Sequence, residues 1–256
     1  MHPRLPLVVL AVLCTGLLTG CSSAEGLVRS AAQEHGGTDR PLPCPSSTPT
    51  VTEPTPSPTP SPRPAPTLDP TVAGEVRDAL RAVRRLPGVE RADETTTNTP
   101  SIAPDPTCPA RLVTTNHFAT TFTVTTLPQA TPEQAGAVPA EMSEHLAWTG
   151  VNLTLTVPAG AGHIASTVDY DGTFDQRIPE ATSTSVAQGL ATLAATPHVV
   201  GLEAVIPMTM RVEYGSLTIG VDTADEATLD TVRSVIDGTA FANTTLHGSF
   251  GNGAKP

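Results

Sequence analysis

The segment from Pro41 to Pro70 constrains the fold most, because it alternates Pro, Ser and Thr with few apolar side chains. Such a composition buries too little apolar surface to offset the entropy cost of ordering, and its prolines favour extended polyproline II. It therefore predicts a disordered linker over residues 41–70. The folded part is expected over residues 71–250, followed by a short tail at 251–256.

The amino terminus has the pattern of a targeting segment. Residues 1–21 read MHPRLPLVVLAVLCTGLLTGC, with one full charge at Arg4 and an apolar run from Leu5 to Leu18. That run is shorter than a membrane span and is typical of a cleaved signal. The last four residues, LTGC, resemble the lipobox of bacterial lipoproteins with a type II signal peptide. An ordinary secretory signal that ends near a cysteine is the alternative.

The lipobox resemblance implies that residues 1–20 are a signal peptide and that Cys21 receives a diacylglyceryl group. Residues 21–40 would then form the lipidated amino-terminal segment. Two acyl chains, at about 0.8 kcal/mol per buried CH₂, are enough for stable anchoring. The implied location is the extracytoplasmic face of the cell membrane, and the implied membrane contact is the lipid anchor.

The charge of the chain argues against a nucleic-acid surface. The chain has 14 Lys and Arg against 25 Asp and Glu, a formal charge of −11, and loss of Arg4 with the signal peptide gives 13 − 25 = −12. An acidic chain of this kind does not attract phosphate backbones. No cofactor or metal is expected either, because no phosphate-binding loop, dinucleotide motif or metal-ligand spacing occurs.

Two predicted helices share one sequence pattern, V-x-x-x-L-x-x-(V/L)-x-x-x-P-x-V. The copies end at Val89 and Val199, 199 − 89 = 110 residues apart. Helical spacing of apolar residues and a terminating proline define each helix. The same order is predicted around each copy: helix, strand, strand, helix, strand. Ile164–Tyr170 is predicted to be a leading strand of the second half.

This order predicts an α+β fold made of two tandem ferredoxin-like sandwich repeats, over residues 71–160 and 161–250. Each repeat would place its helices on one face of an antiparallel sheet. The sequence leaves open whether the repeats form one domain or two. The insert Thr95–Cys108 is expected to be a polar loop, and Met208–Tyr214 is expected to be a strand.

Besides Cys21, the mature chain holds two cysteines, Cys44 and Cys108. An even pair in an oxidising compartment usually bonds, so we expect a disulfide between them. It would close a loop of about 64 residues, and the chain-entropy model gives such a loop about 4 kcal/mol of stabilisation. Two separate thiols or intermolecular bridges are the alternatives.

The first helix places four arginines along one side, opposite its apolar stripe: Arg77, Arg81, Arg84 and Arg85. They form either a binding face for an anionic envelope polymer or acidic partner, or a solvated face neutralised by nearby acids.

These features predict a membrane-anchored extracytoplasmic lipoprotein that displays a non-catalytic interaction module toward an envelope polymer or envelope protein. Enzyme activity is not expected, because no nucleophile signature occurs. The alternative is a small-molecule-binding lipoprotein with a ligand site between the two repeats, near Trp148, Tyr170 and Tyr214. The sequence does not give the oligomeric state.

Overall fold

The computed structural model describes residues 64–207, 210–223 and 225–249. The predicted signal peptide, Cys21, Cys44, most of the predicted linker and the tail lie outside these residues. The helices are α1 (Pro70–Val83), α2 (Pro132–His145), α3 (Glu180–Ala194) and α4 (Glu226–Asp237). The strands are β1 (Val89–Asp105), β2 (Cys108–Thr126), β3 (Val151–Val157), β4 (Ser166–Asp171), β5 (Val199–Pro207), β6 (Ser216–Val221) and β7 (Thr245–Ser249).

The strands form one seven-stranded sheet, in which spatial order follows chain order from β1 to β7. Antiparallel pairs (β1 with β2, β3 with β4, β5 with β6) alternate with parallel pairs (β2 with β3, β4 with β5, β6 with β7). A helix connects the strands of each parallel pair. The described chain is therefore a series of helix-strand-strand units, the last of which has one strand.

The α+β class is confirmed, and the elements occur in the predicted order, including the leading strand β4. The prediction of antiparallel sheets is wrong, because three of the strand pairs are parallel. Two ferredoxin-like repeats are not confirmed. In a split βαβ unit another strand separates the parallel pair, whereas β4 and β5 are direct neighbours. The two predicted repeats also share one sheet, since β3 pairs with β4.

All four helices lie on one face of the sheet, and neighbours along the chain contact one another. In β3 the residues Val151, Leu153 and Leu155 point to the helices and are buried, whereas Asn152 and Thr154 alternate with them on the open face. The same alternation in β4 and β6 gives a single hydrophobic core between the sheet and the helices. The opposite face of the sheet carries polar side chains and no helix of the described chain.

Strands β1 and β2 extend beyond the rest of the sheet. β3 pairs with Thr120–Thr125 of β2, but β1 and β2 stay paired outward as far as Asp105 and Cys108. We call residues 97–119 the arm. Its nine residue pairs, at about 3.4 Å each, project about 30 Å from the sheet. The predicted polar loop at Thr95–Cys108 is therefore wrong. Its β-branched Thr residues pair with a second threonine-rich strand.

The predicted strand at Met208–Tyr214 is also wrong over its described residues. Val212–Tyr214 form a 3₁₀ turn, and β5 pairs directly with β6. The alternating apolar residues of this segment therefore belong to the connection between two paired strands. Periodicity alone does not distinguish such a connection from a strand.

Candidate functional site

A pocket of about 240 Å³ lies between α2 and α3, at the end of the sheet away from the arm. Its floor is formed by β3 and β4, its walls by the first turn of α2 and the last turns of α3. The connection between β3 and β4 closes one side. The pocket thus lies where the two halves of the chain meet, which is where the alternative prediction placed a ligand site.

Small residues create this pocket. α2 and α3 are in close contact where Gly136 faces the backbone of Thr184, since a Cβ on Gly136 would lie 2.6 Å from the Thr184 Cα. Toward the end of α3 the residues facing the gap are mostly alanines: Ala135 on α2 with Ala187, Ala191 and Ala194 on α3. Alanine side chains are too short to fill the space between helices whose axes lie about 8–10 Å apart. An apolar cavity therefore remains under the two helices.

The hydroxyl groups of two buried residues, Tyr170 and Ser166 of β4, lie at the pocket wall. Tyr170 is 1% exposed. Within the described residues, neither hydroxyl makes a hydrogen bond. Neither oxygen is among the enclosed side-chain atoms of the described residues that lack a hydrogen-bond partner, so both oxygens open onto the pocket. Tyr170 and Ser166 therefore indicate that a ligand group or water completes their hydrogen bonding.

A histidine holds the loop at the mouth of the pocket. His163 Nε2 lies 2.9 Å from the Pro128 carbonyl oxygen, and its Nδ1 lies 3.0 Å from the Ile164 carbonyl oxygen. Gly160 forms an isolated bridge with His163, and a Cβ on Gly160 would lie 2.5 Å from His163 Nε2. These contacts join the connection after β2 to the connection after β3, so the mouth has a defined shape.

The pocket lining contains two ionisable side chains, His163 and Tyr170. None of the described residues that line it is Asp, Glu, Lys or Arg. The amino terminus of α2 lies at the wall, but its donors are already engaged. Gln134 N–H donates to Thr131 Oγ1 at 3.3 Å, and Thr131 N–H donates to Gln134 Oε1 at 3.0 Å. Burying a charge without a partner is costly, so the buried part of a ligand is expected to be uncharged.

Burial raises the pKa of Tyr170 far above its ordinary value of 10. The unfolded chain therefore releases this proton near pH 10 while the folded chain retains it. We expect the free energy of unfolding to fall as pH rises above about 10, by up to about 1.4 kcal/mol per pH unit. Urea unfolding measured from pH 8 to pH 11 checks this prediction. Tyr170→Phe should remove the slope, and Tyr214→Phe, the matched control, should keep it. An unchanged slope in Tyr170→Phe would contradict the assignment.

Of the three aromatic residues that the sequence suggested for a ligand site, only Tyr170 lines the pocket. Trp148 is buried near the arm end of the sheet, where its backbone N–H donates to the Phe174 carbonyl at 3.1 Å. Tyr214 is exposed, with the Arg211 guanidinium 4.4 Å from its ring centre. Ser166 was missed, since a single serine in a threonine-rich chain gives no sequence signal.

The four predicted arginines do not share one environment. α1 ends at Val83, so Arg84 and Arg85 follow the helix. The Arg81 guanidinium lies 3.1 Å from Asp78, and Arg84 Nε donates to the Ala92 carbonyl at 2.8 Å. Arg77 and Arg85 are exposed. The binding face at Arg77, Arg81, Arg84 and Arg85 stays a prediction, with two of its members already engaged by the protein.

Cys108 lies at the tip of the arm, is 5% exposed and is disulfide-bonded. The described residues contain no second cysteine, so its partner lies outside them. The pairing with Cys44 stays a prediction. Beside it, hydrogen bonds from the Thr107 side chain and backbone lower the pKa of Asp105. These bonds stabilise the turn that closes the arm.

Two further observations concern the described part of the chain. No group of three or more His, Cys, Asp or Glu side chains there is arranged to hold a metal ion. No helix in the same residues is long and apolar enough to cross a membrane.

The fold and site define an α+β protein with a mixed sheet, helices on one face and a neutral pocket between α2 and α3. Comparisons of the chain with protein-family models, curated proteins and solved structures find no significant match. We therefore infer function from the pocket itself.

Proposed function

We propose that this protein is a lipid-anchored extracytoplasmic binding protein that holds a small, neutral, mostly apolar molecule between α2 and α3. The Tyr170 hydroxyl carries the proposal, because its oxygen opens onto the pocket and no described residue forms a hydrogen bond with it. A hydroxyl, carbonyl or amide group of a ligand would supply that bond. The anchor rests on the resemblance of LTGC, ending at Cys21, to a lipobox.

The size and chemistry of the pocket define the ligand class. A non-hydrogen atom of a ligand takes about 30 Å³, which is similar to the volume per molecule in liquid water. The pocket of 240 Å³ therefore holds about eight such atoms. Each buried CH₂ group contributes about 0.8 kcal/mol to binding. A medium-length alkyl chain or small ring with one hydrogen-bonding group fits these limits.

A homologous series of uncharged alcohols tests this proposal. Thermal unfolding is measured with n-alkanols of about four to twelve carbons. We expect the largest rise in Tm near eight non-hydrogen atoms and smaller rises for longer chains, since the pocket is then full. At a hundredfold excess over Kd the linkage is about 2.7 kcal/mol, which is several degrees. Tyr170→Phe should weaken binding by about three- to tenfold, the value of one neutral hydrogen bond.

The matched control is the alkylammonium ion of the best chain length, which a neutral pocket should reject. Absence of a Tm shift at every chain length would contradict the proposal. So would a rise that keeps increasing with chain length and is equal for the alcohol and the ammonium ion, because such a rise indicates adsorption instead of a pocket of fixed size.

A second candidate function, a non-catalytic module that contacts an envelope polymer, is favoured by the open face of the sheet. One row across that face contains Thr125, Thr156, Thr167, Glu203 and Thr218, in register on neighbouring strands. Such an array of hydroxyl groups with one carboxylate suits polar contacts with a polymer. Retention on isolated cell envelopes that is lost on changing this row, and kept on changing the pocket, would favour this candidate.

A further inference from the structure

The arm needs a source of stability besides the pairing of its two strands. It consists of β1 and β2 alone, because β3 pairs only with residues 120–125 of β2, outside the arm. An isolated two-stranded hairpin is marginally stable in water. Ribbons of this length are normally held by a further layer or a crosslink. The disulfide of Cys108 at the tip shows that the arm is bonded to another segment.

Exposed apolar residues identify the face on which that segment would lie. Ile102 and Leu112 are each 67% exposed. Leu112 is paired with Pro104, and Ile102 lies two residues from Pro104 along β1, so the three share one face of the arm. Alternate residues of a strand share one face. Ala92 on β1 and Val124 on β2 are therefore on the same face as Ile102 and Leu112, and both are buried in the core, so this face continues the helix-covered side of the sheet.

We propose that the segment 41–47, PLPCPSS, docks on this face of the arm and is bonded there through Cys44 and Cys108. The other cysteines of the chain are Cys14 and Cys21. The first lies in the predicted signal peptide and the second is the predicted lipid acceptor. Cys44 is therefore the partner that remains. Its neighbours are apolar, and proline-rich segments in polyproline II dock on apolar surfaces without strand pairing.

The distance between the segment and the arm permits this contact within one chain. Only residues 84–88 separate α1 from β1, and the two elements contact each other. α1 therefore runs back along β1, and its first residues lie toward the end of the sheet from which the arm projects. From Cys44 to Asp69 there are 69 − 44 = 25 residues. At about 3.1 Å per residue they span up to about 75 Å, more than twice the length of the arm. A second copy of the protein is therefore unnecessary.

Docking would shorten the spacer between membrane and fold. From the predicted anchor at Cys21 the chain runs 69 − 21 = 48 residues to Asp69, but only 44 − 21 = 23 residues to Cys44. At a maximum of about 3.4 Å per residue, the reach falls from about 165 Å to about 80 Å. The docked segment would also direct the tip of the arm toward the membrane.

Peptide mapping and hydroxyl-radical footprinting of the mature, full-length protein test the proposal. Mass spectrometry without reduction should find one Cys44–Cys108 peptide in a monomer. A Cys108 bond to another cysteine, or a disulfide-linked dimer, would overturn the proposal. The same map reports Cys21, where a diacylglyceryl thioether is expected and a free thiol would contradict the anchor.

Footprinting then separates docking from simple crosslinking. The variant Leu42→Ser with Pro43→Ser keeps both cysteines but removes the apolar contact. We expect oxidation of Ile102 and Leu112 to become about twofold faster in the variant, as covered side-chain area is exposed. Val200, 58% exposed on β5, is the internal control and should oxidise at the same rate in both proteins. Equal rates at Ile102 and Leu112 in parent and variant would overturn the docking.

Discussion

Replacing Gly136 with alanine is expected to lower the free energy of unfolding by about 2 kcal/mol, although alanine is the better helix former by about 1 kcal/mol. The added Cβ would lie 2.6 Å from the Thr184 Cα and 2.7 Å from its backbone nitrogen. Backbone atoms inside a helix cannot turn away, so α2 and α3 must separate. For a domain of this size the loss corresponds to a fall in Tm of about 4–8 °C. Urea unfolding and calorimetry measure both quantities.

The matched control is Gly74→Ala, which is the same substitution in α1. A Cβ on Gly74 would meet only the Arg77 Nη2, at 4.0 Å. That variant should be stabilised by about 0.5–1 kcal/mol through helix propensity alone. If Gly136→Ala were stabilised to the same extent, α2 and α3 would not be in contact at Gly136, and the pocket beside that contact would have a different shape.

The helices could be predicted from the sequence because their signals are local. In α1, Val72, Val76, Ala79 and Val83 recur at three- and four-residue spacing and are buried together. Asp69, just before the helix, accepts hydrogen bonds from the backbone N–H groups of the first turn. Each of these features is contained within a few residues, so no knowledge of the rest of the chain was needed.

Strand order could not be predicted, because it depends on contacts between distant segments. Helix crossovers between parallel strands are almost always right-handed. With all helices on one face, that rule favours the interleaved order of a ferredoxin-like repeat. In this sheet the crossover from β2 to β3 and the crossover from β4 to β5 both move one position toward β7. The strands β2 and β3, however, run opposite to β4 and β5. Successive crossovers therefore differ in hand, which no local pattern indicates.

The arm was missed for a different physical reason. Strand prediction relies on one buried face, which makes apolar and polar residues alternate. Most residues of β1 beyond Thr95 are exposed on both faces, so no alternation marks them. The prolines at 100 and 104 also favoured a loop, although edge strands accept proline because one side of their backbone needs no partner. β1 is such an edge strand.

The pocket was predicted only as a location between the two halves. Its walls are alanines, which are common in helices and carry no signal for a binding site. Tyr170 was suggested as one of three aromatic residues, and only its burial without a hydrogen bond distinguishes it. That distinction depends on which side chains surround it in three dimensions. Sequence spacing therefore does not separate a ligand-facing tyrosine from an ordinary core tyrosine.

Filling the pocket is expected to abolish ligand binding without harming the fold. Ala187 and Ala194 both line the pocket on α3. Changing both to leucine adds six carbon atoms, which at about 30 Å³ each occupy about 180 Å³ of the available 240 Å³. The affinity for the best alkanol should fall by about a hundredfold or more. The free energy of unfolding should stay unchanged or rise by about 1 kcal/mol, because the added groups bury apolar surface.

Ala181→Leu is the matched control, since Ala181 is an exposed residue of the same helix. It makes the same chemical change outside the pocket and should leave the alkanol-induced rise in Tm intact. A stable fold with lost binding distinguishes a ligand pocket from a packing defect. A packing defect would not bind the alkanol in the parent protein, so filling it would only raise the stability. If the filled variant kept the alkanol response, the ligand would bind elsewhere, and the polar face of the sheet would become the stronger candidate.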